Sequence, residues 1–140
     1  MAPKERPTYF KIHRKIRGWI RAGFISAVWL GTPCNSLSRA RDRPGGPPPL
    51  RSDDFPNGLS ELSIEDGRKV QNGNYLARLS ISIFNDSQRR GIPAMIEDPH
   101  SSRLWCVDFF WRALVKKHVE GRGRTSARMA QPSSLTSDGT

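Results

Sequence analysis

SIEDGRKVQNGNYLARLSISIFNDSQRRGIPAMIE, residues 63–97, is the stretch on which the fold turns. Ser63-Ile64-Glu65-Asp66 has the form of a capping box, a hydroxyl followed three residues on by a carboxylate, which satisfies free amides at a helix start. Beyond it, Val70, Leu76, Leu79 and Ile83 predict the inner face of a helix running to about Arg90. Gly67 and Gly73 weaken its first two turns. Gly91 is a natural stop, because glycine takes the left-handed conformation that ends helices at little cost. The apolar run Ile92 to Ile96 then predicts a buried strand ending at Glu97.

Upstream, Phe24 to Leu30 is a second short apolar, β-rich run, closed by Gly31. Before it, Pro7 and Thr8 mark a helix start. Phe10 or Tyr9, Ile12, Ile16, Trp19 and Ile20 recur at three- and four-residue spacing, with Lys11, Arg14, Lys15, Arg17 and Arg21 on the other face and a stop near Gly23. Downstream, after a loop through Ser102, the residues Leu104, Val107, Trp111, Leu114 and Val115 predict a third helix. The order helix, strand, loop, helix, strand, loop, helix is α/β, a partial Rossmann-like open sheet of two parallel strands and about three helices. The chain divides into a basic amphipathic helix (1–23), an α/β core (24–119) and a disordered basic, polar tail (120–140). Within the core, 43–62 is a long Pro/Gly-rich loop of the kind that is functional or mobile in small domains. Two strands under three short helices leave a parallel pair incompletely covered, so a partner or marginal stability is expected.

At 140 residues the chain holds at most one ordinary domain. A net charge of +10 with a pI near 10.6 favours polyanions, chiefly nucleic acid or an acidic membrane surface; a basic tail that merely solubilises is the plainer alternative. Cys34 and Cys106 form no disulfide framework and His13, His100 and His118 are scattered, so no metal site is expected. The apolar run Ala22 to Leu30 is too short to span a bilayer, and Pro33 suits no leader cleavage site. Seven Lys/Arg against one Glu in the first twenty-two residues also fit a mitochondrial presequence. The expected setting is intracellular, nuclear or DNA-associated, not secreted and not membrane-bound.

Gly31-Thr32-Pro33-Cys34-Asn35-Ser36-Leu37-Ser38 resembles the nucleophile motif G-P-P-C-Q-x-F-S of DNA (cytosine-5) methyltransferases. Gly31, Pro33, Cys34 and Ser38 match in place, while Asn35 stands for Gln and Leu37 for Phe. Met95-Ile96-Glu97-Asp98-Pro99 resembles that family's E-N-V segment, with Glu97 matching, Asp98 in place of Asn and Pro99 in place of Val. The resemblance covers about Phe24 to Trp105. It implies Cys34 as nucleophile toward C6 of a pyrimidine and Glu97 as the group holding the ring's N3 edge. It also implies a flipped-out base and a substrate pocket to which Pro33, Asn35, Ser38 and Arg39 belong, and Arg103 is placed beside them as a stand-in for the arginine that the family supplies from a later motif. Arg39, Arg41 and Arg43 would lower the thiol pKa. Each residue has a plain structural reading as well: an inert turn cysteine, a capping glutamate, a solvated arginine run.

The family's cofactor is S-adenosylmethionine, but its F-x-G-x-G loop has no counterpart upstream of Gly31, and the Q-x-R-x-R segment and target-recognition region are missing. The expectation is a truncated or divergent methyltransferase-like core, inactive alone, whose cofactor-binding residues are unknown and whose activity needs a complementing half or a second copy. The alternative is a non-catalytic basic nucleic-acid-binding protein, or a remnant of a mobile-element polyprotein, with DNA as partner.

Overall fold

The structure is a computed structural model and describes residues 8–33 and 35–120. The chain forms helix α1 (Thr8–Ala22), strand β1 (Val28–Gly31), helix α2 (Ile64–Arg89), strand β2 (Ala94–Glu97) and helix α3 (Asp108–Glu120). Two short 3-10 turns, Arg39–Asp42 and Arg103–Cys106, sit in the loops after the strands. The fold is therefore α/β, with one two-stranded parallel sheet. The expected tail lies outside the described residues except for Glu120, and so does Pro7.

Local chemistry sets the boundaries. Ser63 Oγ accepts from the Asp66 amide at 3.1 Å, and Lys69 pairs with Glu65 and Asp66 one turn on, which fixes the start of α2. Gly23 (φ 77°) and Gly91 (φ 68°) end α1 and α2 in the left-handed conformation. There Phe24 N donates to the Trp19 carbonyl at 3.0 Å, and Ile92 N to that of Ser87 at 3.0 Å. The strands are shorter than the apolar runs because each has one pairing partner. Val28 N donates to the Pro93 carbonyl at 2.9 Å, and Pro93 has no N–H with which to extend the ladder.

The register is Val28↔Ala94, Trp29↔Met95, Leu30↔Ile96 and Gly31↔Glu97. Val28, Leu30, Ala94 and Ile96 form the half-buried face against the helices, while Trp29 (69 % exposed), Met95 (56 %) and Glu97 lie on a bare outer face. The core joins Leu37, Ala77, Ile81, Leu104, Val107 and Phe110, with Ile96 and Trp105 packed against it. Trp105 meets Phe110 edge to face at 5.9 Å.

Two expectations are corrected. On α2, Val70 and Ile83 are buried as expected, but Leu76 and Leu79 are only half-buried. Gly73, Ala77 and Ser80 occupy the inner face with Ile81 instead, the three small residues letting the neighbouring chain approach the helix axis. A Cβ on Gly73 would meet Ser36 Oγ at 2.4 Å and Arg51 Nη2 at 2.9 Å, so this glycine serves a close approach. The third helix begins at Asp108. Leu104 and Val107 precede it in a tight turn capped by Ser102, whose Oγ accepts from Leu104 N at 3.1 Å.

Candidate functional site

Both strands point the same way, so the two motif loops leave from adjacent tips, the edge at which ligands bind in open α/β sheets. Gly31 and Glu97 are register partners, and the loops go on touching beyond them. Arg103 N donates to the Leu37 carbonyl at 2.9 Å, and Arg39 Nε to the Ser101 carbonyl at 2.9 Å. Cys34 lies outside the described residues, but both of its flanks are placed. Thr32 Oγ1 donates to Ser80 Oγ at 2.9 Å and anchors the β1 tip to α2, while Leu37 sits in the core. Pro33 and Asn35 are exposed.

Glu97 is exposed, and Oε2 accepts from Trp29 Nε1 at 2.8 Å across the bare sheet face. The desolvated carboxyl is the next one. Asp98 Oδ2 is buried with no hydrogen-bond partner among the described residues. Burial raises the Asp98 pKa, the Ser102 hydroxyl opposes the shift, and the Glu97 charge adds to it. Ser102 and Arg103, close by in the same loop, are buried as well.

The arginines assigned to the substrate are held by other groups. Arg103, 6 % exposed, donates from both terminal nitrogens to Asp42 (3.0 and 2.8 Å) and from Nε to Asp53 at 3.2 Å. Arg39 binds both oxygens of Asp53, at 3.0 and 2.9 Å. Arg39 first and Arg103 second hold the Asp53 carboxyl below its usual range, and Asp42 chiefly raises the Arg103 pKa. The network closes the long loop onto the turn after β2. It pairs Arg39 with Asp53. Arg41 is spent on the carbonyls of Asn35 (3.3 Å) and Pro48 (3.1 Å), and Ser38 Oγ caps a 3-10 turn by accepting from Ala40 N at 3.1 Å.

Arg51 is the residue the sequence did not flag. It is 1 % exposed, and none of its hydrogen-bond partners among the described residues is a carboxylate. Nε and Nη2 donate to the carbonyl and hydroxyl of Ser36 (3.0 and 2.9 Å), Nη1 to Pro56 O (2.6 Å) and Asn74 Oδ1 (2.7 Å), and Nη2 also to Val70 O (3.1 Å). The long loop, expected to be functional or mobile, is thus tied to α2 through Arg51 and through the Asn57 carbonyl, which accepts from Asn74 Nδ2 at 2.8 Å. Only its Pro/Gly content was visible beforehand.

The strand tips do not fit S-adenosylmethionine. β1 is followed by Thr32-Pro33 and β2 by Asp98-Pro99, where the prolines supply no backbone N–H and no glycine-rich turn opens a nucleoside cradle. No group of three or more His, Cys, Asp or Glu able to hold a metal occurs among the described residues. No described helix is long and apolar enough to cross a membrane. No protein-family model, curated protein or solved structure matches the chain.

Proposed function

We propose that the chain carries the strand-tip portion of a cytosine-5 methyltransferase-type pyrimidine site, with Cys34 and Glu97 as its reactive pair. The observation that carries this reading is the register Gly31↔Glu97, reinforced by the Arg103–Leu37 and Arg39–Ser101 bonds that keep the two loops together. The Cys34 thiolate adds to C6 of an unstacked cytosine, forming an S–C6 bond and raising electron density at C5. Glu97 meets the N3 edge and stabilises the adduct. With no fit for the methyl donor, no methyl transfer is assigned to the chain alone.

The test therefore needs no donor. On reversible addition, C5 takes a solvent proton and then loses its original hydrogen as the S–C6 bond breaks. Release of tritium from C5-tritiated cytosine in single-stranded DNA should exceed that of Cys34→Ser, and Glu97→Gln should slow it. Equal release from parent and Cys34→Ser would remove the catalytic reading.

A second reading, a non-catalytic nucleic-acid-binding protein, draws on a different observation. Arg39 and Arg103 at the strand tips are neutralised by Asp42 and Asp53, whereas Lys11, Arg14, Lys15 and Arg21 of α1 face solvent. On that reading Cys34→Ser leaves binding unchanged and loss of charge in α1 weakens it.

A further inference from the structure

The carboxyl-terminal ends of α1 and α2 meet at the edge of the sheet opposite the motif loops, because each helix runs back to feed the strand that follows it. There Arg17, Arg21, Arg89 and Arg90 line a cleft of about 500 Å³ in which Asp86 is the one acidic lining residue. Asp86 is committed: Arg17 Nε donates to Oδ2, and Arg89 Nη1 to Oδ1 at 3.0 Å. Arg90 Nη1 donates to the Arg21 carbonyl at 2.9 Å, and the Arg21 guanidinium has no partner among the described residues. A guanidinium carries five N–H donors, so most of those in the cleft are unspent.

Helix ends account for part of this charge. A helix carboxyl terminus bears about half a negative charge, so two of them with Asp86 supply about two, against four arginines. About two positive charges remain, on side chains whose planar forks match phosphate oxygens. The neighbouring His13 imidazole is held below its usual pKa by burial and secondly by Arg17.

We infer that this cleft binds the phosphodiester backbone of nucleic acid. The inference rests on the second reading above and not on the chemistry of Cys34 and Glu97. A polymer is favoured over a free anion because the cations continue past the cleft. Arg14, Arg17 and Arg21 fall on one line of α1 over about 10 Å, the rise of about three nucleotides in one strand of a duplex. Arg14, Arg21, Arg89 and Arg90 are exposed, so a chain can enter and leave. Asp86 is a positioning residue that aims Arg17 and Arg89.

The test is fluorescence anisotropy of a short labelled DNA duplex with the full chain, over a salt series, for the parent, for Arg21→Gln/Arg89→Gln and for a control, Arg112→Gln, which removes one exposed charge from α3. The double variant should bind about tenfold more weakly at moderate salt, with a log–log salt slope shallower by about two. The control should shift the slope by less than one. Far-ultraviolet circular dichroism verifies that each variant is folded. Parent-like affinity in the double variant would overturn the cleft while leaving nucleic-acid binding standing. An equal loss in the control would reduce the effect to net charge and overturn it too. No DNA binding by the parent would end both the cleft and the second reading. Displacement of the duplex by millimolar inorganic phosphate, where equal ionic strength of chloride fails, would assign the cleft to a free anion and overturn the polymer.

Discussion

Replacing Arg51 by Met sets two large terms against each other. Burial holds the Arg51 pKa below the ordinary guanidinium range, down to about 10, equivalent to about 3 kcal/mol disfavouring the charged form in the fold. Against it stand five hydrogen bonds to neutral acceptors, each worth roughly 1.5–3 kcal/mol when the donor is charged. Met nearly preserves the volume, so little of the effect is cavity. It leaves the Ser36 carbonyl and hydroxyl and the Asn74 amide oxygen without their donor, at roughly 1–3 kcal/mol for each that stays dry. The bonds win, and Arg51→Met should cost at least about 4 kcal/mol, a large part of the roughly 5–15 kcal/mol that holds a domain together. Arg51→Lys keeps the charge with fewer donors and a different geometry, and should cost about 2–3 kcal/mol. Urea unfolding followed by circular dichroism and tryptophan fluorescence measures both from the midpoint at constant slope. A Met variant within about 1 kcal/mol of the parent would refute the reasoning, since desolvation would then cancel the bonds, as it does in some buried ion pairs.

Two further outcomes follow from individual contacts. Gly67→Ala meets nothing within 4 Å and should stabilise by about 0.5–1 kcal/mol through helix propensity, whereas Gly73→Ala, driven into Ser36 and Arg51, should destabilise by about 1–3 kcal/mol; equal effects in thermal unfolding would contradict the close approach. Asp98→Asn should stabilise by about 1 kcal/mol at neutral pH. A carboxyl whose folded pKa is raised gives stability that is complete below its unfolded value and is lost as pH rises through the folded one. The variant should therefore lose that acid-to-neutral decline, and an unchanged pH profile of stability would sink the assignment.

The element ends were legible because they rest on local chemistry: a serine cap at Ser63, left-handed glycines at 23 and 91, and apolar runs closing at Gly31 and Glu97. The pairing of the two strand tips followed from topology. What stayed hidden depends on contacts between distant residues. Gly73, Ala77 and Ser80 carry the inner face of α2, yet small residues leave a weak mark in a hydrophobic period, and Leu76 and Leu79 leave a stronger one. Arg51 looks like a surface cation in sequence, and Arg103 like a group turned to a substrate. Their burial depends on Ser36, Val70 and Asn74 in one case and on Asp42 and Asp53 in the other. The same holds for Arg17, assigned to the outer face of α1 and found against Asp86 of α2.

Strand pairing contributes little to holding the motif loops together. The ladder is four residues long with one face bare, while parallel sheets elsewhere are covered on both. The core is built instead from loop and helix: Leu37 from the loop after β1, Leu104 and Val107 from the turn after β2, and Ala77 and Ile81 of α2. Arg51 fastens the first loop to α2, and Arg103, through Asp42 and Asp53, fastens it to the second. Position at the strand tips is thus set by topology and kept by arginine bonds inside the loops. Whatever binds at the tips meets paired charges and the carboxyls of Glu97 and Asp98, and the unspent cations lie at the opposite end of the sheet. If the cleft holds nucleic acid, as proposed, that strand must reach across the molecule before one of its bases meets Glu97, and an unstacked, single-stranded segment would fit that path better than an intact duplex.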